Sequence, residues 1–272
     1  MDCPHCDSST ITKRSDLTTR GYRRFRCRSC GRGFNERTHS HFNRLQYPPD
    51  VVCLVVLWRV RYKLSFRDLA EMFLDRGVVF THEAVRKWEA KRAPVLSEAL
   101  RKHRRGRVGP SWYCDETYLK VKGRGVYLYR AIDRNGNLMD VWLSERQDQA
   151  AAEAFFLSAR TVTERIPARV TTDGHSSYPG DIKAELGEAV THRTNRYLNN
   201  HLEQDHRGIK QRTHSMCGFK SFVSAARFCR VYEEVRQFFR ARSQRNEAVS
   251  LVCQRALHLG RLRVLTSTLA LA

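Results

Sequence analysis

The stretch WYCDETYLKVKGRGVYLYRAIDRNGNLMDVWL, residues 112–143, restricts the fold more than any other part of the chain. Strand formers fill three segments, and the breaks between them are KGRG and DRNGN, which carry glycine where tight hairpins need it. Three antiparallel strands are therefore predicted from Trp112 onward. Residues 149–162 are alanine-rich and read as a helix, and RVTTDG reads as a fourth strand ending at Asp173. A helix over 177–186, a short fifth strand AVTHRT and a last helix YLNNHLEQDHRGIKQR complete the pattern. No internal repeat or low-complexity tract interrupts it.

A meander followed by alternating helices and strands is the order of an RNase H-like fold, an α/β domain with a mixed five-stranded sheet, expected over 111–240. Its acids fall at telling positions. Asp115 lies within the first strand, Asp173 closes the fourth, where a crevice opens in such sheets, and Glu203 lies on the last helix. Three carboxylates on neighbouring elements repel one another unless cations hold them together. Hard oxygen donors with open positions suit two Mg²⁺ ions about 3.5 to 4 Å apart. Ordinary solvation accounts for any one of these acids taken alone, and Glu203 with Arg207 and Lys210 also fits a helical ion-pair ladder. Helical angle does not choose between Glu203 and Asp205. His175, His201 and His206 are expected as phosphate contacts or structural hydrogen-bond donors.

Ahead of the sheet, Cys3 and Cys6 form CPHC, and Cys27 and Cys30 form CRSC twenty residues later. This is the ligand spacing of a four-cysteine site for one structural Zn²⁺, so 1–37 is expected to be a zinc ribbon, with a redox dithiol or a disulfide as alternatives. Its large apolar residues are few, mainly Ile11, Leu17, Tyr22, Phe25 and Phe34, so its folding should depend on the metal. Its arginines favour a DNA contact, with protein docking as the alternative. Cys53, Cys114, Cys217, Cys229 and Cys253 lack ligand spacing and are expected to be small buried hydrophobes.

Residues 45–98 read as a helix-turn-helix. An apolar helix covers 51–62, Ser65 and Asp68 form a capping box, Gly77 ends the next helix, and Thr81 caps a recognition helix over 82–92. Val85 and Trp88 should face inward, leaving Arg86, Lys87, Lys91 and Arg92 for DNA. Residues 99–110, with Arg101, Arg104 and Arg105, read as a basic linker along a phosphate backbone, and 241–272 as a C-terminal helical tail.

Lys plus Arg outnumber Asp plus Glu by 49 to 28, a formal charge of +21. That balance suits double-stranded DNA, because cations that neutralise phosphates release condensed counterions. The longest apolar run, 51–58, is too short to span a bilayer, and a CxxC stands in 1–7 where a secretory signal would begin. A cytoplasmic, nucleoid-associated protein with no membrane contact is expected.

DETYLKVKGRGVYLYRAIDRNGN, TTDG, YLNNHLEQDHRGIKQR and GFKSF resemble, in order and wording, the DDE transposases of the insertion-sequence-six family. YPPDVV and YKLSFRDLAEMFLDRGV resemble that family's helix-turn-helix, so the likeness runs over 47–240. It implies that Asp115, Asp173 and Glu203 are a catalytic triad on Mg²⁺, with Mn²⁺ able to substitute. The implied substrates are the terminal inverted repeats of a mobile element and a target DNA. Nicking would expose 3′-hydroxyl ends that attack the target, giving cointegrates by a replicative route. Arg207 and Lys210 would hold DNA phosphates beside Glu203. Joining two ends implies at least a homodimer, expected through 222–239. Two features depart from the family: only 29 residues separate Asp173 from Glu203, and the simplest members lack the ribbon. Rival readings are a DNA-binding repressor that keeps the core as a scaffold, and a structure-specific nuclease that cuts without joining.

Overall fold

The computed structural model describes residues 1–40, 42–43, 45–104, 108–174, 178–195, 200–240 and 249–271, without the side chains of 200–205 and 268–271. Strands β1 (Ile11–Leu17), β2 (Arg23–Cys27) and β3 (Gly33–Asn35) form a small antiparallel sheet at the N-terminus. Its core is Cys3, Phe25, Cys27 and Phe34, with Ile11 packed against them.

Three helices follow: α1 (Pro49–Arg61), α2 (Phe66–Leu74) and α3 (His82–Arg104). The capping box forms as the sequence requires, Ser65 accepting from the Asp68 amide and Asp68 accepting from the Ser65 amide. Gly77 adopts φ +73°, the left-handed conformation that glycine enters freely, and Thr81 Oγ1 accepts the Ala84 amide at 3.2 Å. Helix α1 is apolar on more than one side because it serves two cores. Val52, Val55 and Val56 pack with Leu69, Phe73 and Trp88, while Cys53, Leu57 and Val60 join a second cluster with Leu96, Leu128 and Phe228.

Helix α3 departs from expectation. It does not stop near residue 92 but continues through Pro94 to Arg104, so the first part of the expected linker is helix. The added turns bury Ala93, Leu96 and Leu100 in the second cluster, which offsets the hydrogen bond that a helix loses at proline.

The second sheet contains β4 (Ser111–Val121), β5 (Arg124–Asp133), β6 (Leu138–Ser144), β7 (Arg169–Thr172) and β8 (Thr191–Thr194), in the order β6-β5-β4-β7-β8. The first three strands pair antiparallel, and β7 and β8 add parallel to β4, giving the RNase H-like topology that the sequence predicts. Lys122 and Gly123 have φ of +50° and +79°, as the two-residue β4–β5 turn requires. DRNGN instead forms a longer loop, in which Asp133 Oδ1 accepts the amides of Asn135 and Asn137 at 2.8 and 2.7 Å.

Helices α4 (Gln149–Thr163) and α5 (Tyr178–Leu186) cover one face of this sheet through Phe155, Phe156, Tyr178 and Ile182. The remaining helices are α6 (Asn200–Ser215), α7 (Phe222–Phe239) and α8 (Leu251–Leu271). Helix α7 lies on the other face, where Phe228, Val231, Tyr232, Val235 and Phe239 enter the same core as α1 and α3. That burial takes half of the residues of 222–239 into the core and leaves the other half for the expected dimer surface. Of the cysteines outside the two CxxC pairs, Cys53, Cys114 and Cys229 are buried as expected, but Cys217 and Cys253 are exposed.

Candidate active site

β4 and β7 run parallel with Tyr113 opposite Thr171. Asp115 and Asp173 each lie two residues beyond that pair, so strand alternation brings both to one face where β7 ends. Glu116, the next residue of β4, should face away by the same rule. Even so, one carboxylate oxygen each from Asp115, Glu116 and Asp173 lies within 4.8 Å of the other two. Two donors hold Glu116: the Tyr178 hydroxyl at the start of α5, and Gln147 Nε2 at 2.6 Å. Burial and the Glu116 carboxylate push the Tyr178 phenol well above its ordinary pKa, so it stays protonated and donates. Three hard oxygen donors this close suit a divalent cation of the Mg²⁺ or Mn²⁺ type.

The third side of the site is α6. His206 is buried there, with Nδ1 3.8 Å from Asp115 Oδ2, while Arg207 and Lys210 are exposed. Position 203 is one turn ahead of His206 on the same helix. The side chains of His201, Glu203 and Asp205 lie outside the described residues, as does His175. Sequence reasoning missed Glu116, because strand parity assigns it to the opposite face. The adjacent acids in CDET were the available signal.

At the N-terminus the sulfurs of Cys3 and Cys30 lie 3.7 Å apart and those of Cys6 and Cys27 3.6 Å apart, with all four within 4.8 Å of one another. A tetrahedral Zn²⁺ with Zn–S bonds of about 2.3 Å puts its sulfurs about 3.8 Å apart, so the thiols fit that ion. The Cys30 amide donates to Cys27 Sγ at 3.5 Å and, with the neighbouring thiols, holds the Cys27 thiol down at about 6. Beside the cluster, Arg14, Arg24 and Arg26 line a groove of about 520 Å³ with Thr18, Asn35 and Thr38.

On α3, Arg86, Lys87 and Lys91 are exposed, and Arg86 pairs with Glu83 at 3.2 Å. Three expected DNA contacts are corrected. Arg92 is buried, its guanidinium 5.4 Å from the Phe42 ring centre. Arg104 is buried with Nε and Nη2 each 2.8 Å from a Glu234 carboxylate oxygen, and Arg101 pairs with Asp140 and Glu234. Burial opposes the Arg104 charge, but Glu234 outweighs it and raises the guanidinium pKa. Arg105 lies outside the described residues. No helix among the described residues is long and apolar enough to cross a membrane.

A family model described as a DDE domain matches residues 109–242. The transposase for insertion sequence-like element IS431mec of Staphylococcus aureus is 38% identical over 178 residues, covering 64% of this chain and 78% of the relative. The transposase for insertion sequence element IS257 in transposon Tn4003, also from Staphylococcus aureus, matches with the same identity and coverage. Among solved structures, the HTLV-2 integrase catalytic core domain in complex with magnesium shares 14% identity at a TM-score of 0.37, over 57% of this chain and 99% of that one. With its DDE domain and its likeness over most of the length of these transposases, the chain belongs to the insertion-sequence-six family of DDE transposases.

Proposed function

We propose that this transposase binds the terminal inverted repeats of an insertion sequence, nicks them to expose 3′-hydroxyl ends, and joins those ends to target DNA by a replicative route that leaves a cointegrate. The carrying observation is that Asp115 on β4 and Asp173, one residue past the end of the adjacent parallel strand β7, bring carboxylate oxygens within 4.8 Å of each other, with His206 of α6 beside Asp115. Asp115, Asp173 and Glu203 form the triad. Around a helix, position 203 is about 60° from position 206 and position 205 about 100°, which favours Glu203 over Asp205. These carboxylates would hold two Mg²⁺ ions, or Mn²⁺ in their place, whose Lewis acidity serves the attacking and leaving oxygens.

The chain's own residues do the rest. His206 orients Asp115, and Tyr178 with Gln147 fixes Glu116, whose charge deepens the site's demand for cations. Arg207 and Lys210, exposed on α6, hold backbone phosphates beside the centre. Arg86, Lys87 and Lys91 read DNA from α3 in the helix-turn-helix of 45–98. Cys3, Cys6, Cys27 and Cys30 hold one Zn²⁺ in the ribbon of 1–37, and the arginine groove follows further phosphates. The working unit is a homodimer in the cytoplasm, associated with the nucleoid, because two ends must be joined. Incubating the protein with a labelled element end, Mg²⁺ and a target plasmid tests this reading. Nicked and joined products are expected; nicks alone would make it a nuclease, and binding without chemistry a repressor.

A further inference from the structure

Helix α3 belongs to both halves of the molecule. Its first turns place Val85 and Trp88 in the helix-turn-helix core, and its last turns place Ala93, Leu96 and Leu100 in the core shared with the catalytic sheet. Beyond them, Arg104 donates to both carboxylate oxygens of Glu234 on α7, each at 2.8 Å, and to the carbonyls of Leu138 and Met139 on β6 at 2.9 and 2.8 Å. Arg101 pairs with Asp140 of the same strand, whose other oxygen accepts the Ser158 hydroxyl of α4 at 2.5 Å. Arg104, Asp140 and Glu234 are buried and the Arg101 side chain is 11% exposed, so a small displacement would leave these charges unpaired in a poor solvent for ions.

A second strap ties the catalytic helix to α1. Arg212 of α6 donates to the Arg61 carbonyl and to the Tyr232 hydroxyl, and Lys63 reaches Gln211 at 2.8 Å. Glu89 of α3 stands between Arg59 of α1 at 3.6 Å and Arg227 of α7 at 3.4 Å. A tethered DNA-reading module would need none of these links, of which the Arg59–Glu89 pair is buried, the Arg212 bonds half-buried and the Lys63 bond exposed.

We propose that the exposed face of α3 and the Asp115 centre form one rigid ruler, with Arg101, Arg104 and Glu234 as positioning residues. The scissile phosphate is then selected by its distance from the bases that α3 contacts. This rests on the functional reading above. The test uses the intact protein and element-end duplexes with 1, 5 or 10 base pairs inserted between the footprinted segment and the terminal phosphate. Binding should change by less than about twofold, because the segment under α3 is intact. Nicking should either move into the insert by the inserted length or fall at least tenfold at the natural terminus.

Retained nicking at the natural terminus of the inserted duplexes overturns the ruler. So does recovery there at 10 base pairs alone, one helical turn, which would mean a flexible tether that needs only the correct DNA face. Failure to bind or nick the unmodified end overturns the functional reading first, and the ruler with it. A Glu234→Gln protein that still binds the end should spread its nicks over several phosphates; a single nick at the wild-type position would count against the positioning role.

Discussion

Asp173 stands one residue past β7, exposed, with its carboxylate close to those of Asp115 and Glu116. Nothing in the apolar core depends on it. Asp173→Asn should therefore leave folding and end binding intact and lower nicking and joining by roughly 100-fold or more, the scale on which metal sites respond to weakened support. Glu203→Gln should do the same, and cleavage near wild-type in Mg²⁺ by either variant would remove that residue from the triad. Asp181 offers a contrasting case in which charge costs stability. It is fully buried on α5, neither carboxylate oxygen has a hydrogen-bond partner among the described residues, and burial, then Glu153 and Glu185, pushes its carboxyl up to about 6. A raised carboxyl binds its proton more tightly in the folded state. Stability from this group is thus full below about pH 4, falls as pH rises through about 6, and stays reduced above. Asp181→Asn should stabilise the protein at pH 7.5 by about 1 to 3 kcal/mol, with little gain at pH 4. Thermal melts at both pH values check this; an equal gain at each would point to packing rather than charge.

Among the elements, α3 shows what local pattern can and cannot reveal. Its beginning was legible: Thr81 as cap, Val85 and Trp88 inside, Arg86 and Lys87 outside. Its end was not, because Pro94 signals a stop and the packing that overrides it comes from α7, far along the chain. Arg92, Arg101 and Arg104 were misread for the same reason. A cation's partner cannot be seen in the sequence when it is Glu234, 130 residues away from Arg104. The sheet was legible because alternation and turn residues are local, whereas Glu116 escaped because its placement depends on Tyr178 and Gln147. If α3 reads bases, alanine at Arg86 and Lys87 should cost about 1 to 3 kcal/mol of discrimination for each bidentate base pairing removed, bringing cognate and random duplexes closer in affinity. Equal weakening on both duplexes would make these residues phosphate binders. In the ribbon, Cys27→Ser should abolish binding of about one zinc per chain and flatten the salt dependence of DNA binding by roughly 0.9 for each phosphate that the ribbon no longer neutralises. Unchanged zinc content would refute the four-cysteine site, and unchanged affinity would turn the groove toward a protein partner.

At the scale of the whole molecule, the boundaries drawn from sequence divide something that packs as one. The ribbon has four buried core residues of its own, two of them cysteines, so metal rather than apolar burial should decide its folding. The helix-turn-helix is different, since one side of α1 and the later turns of α3 contribute to the core of the catalytic sheet. Cut out as residues 45–98, it would expose Cys53, Leu57, Val60, Ala93 and Leu96 to water. The larger of these side chains are each worth about 1.5 to 3 kcal/mol when fully buried, comparable in sum to the entire stability of a small domain. The isolated 45–98 piece should therefore lack a cooperative unfolding transition and show poor dispersion of its amide resonances. The 45–271 protein should unfold in a single denaturant transition followed alike by Trp88 in the helix-turn-helix core and Trp112 in the sheet core. Single-tryptophan variants can report each site separately. Two separated transitions, or a stably folded 45–98 fragment, would show that the shared core contributes little and that the two halves are independent.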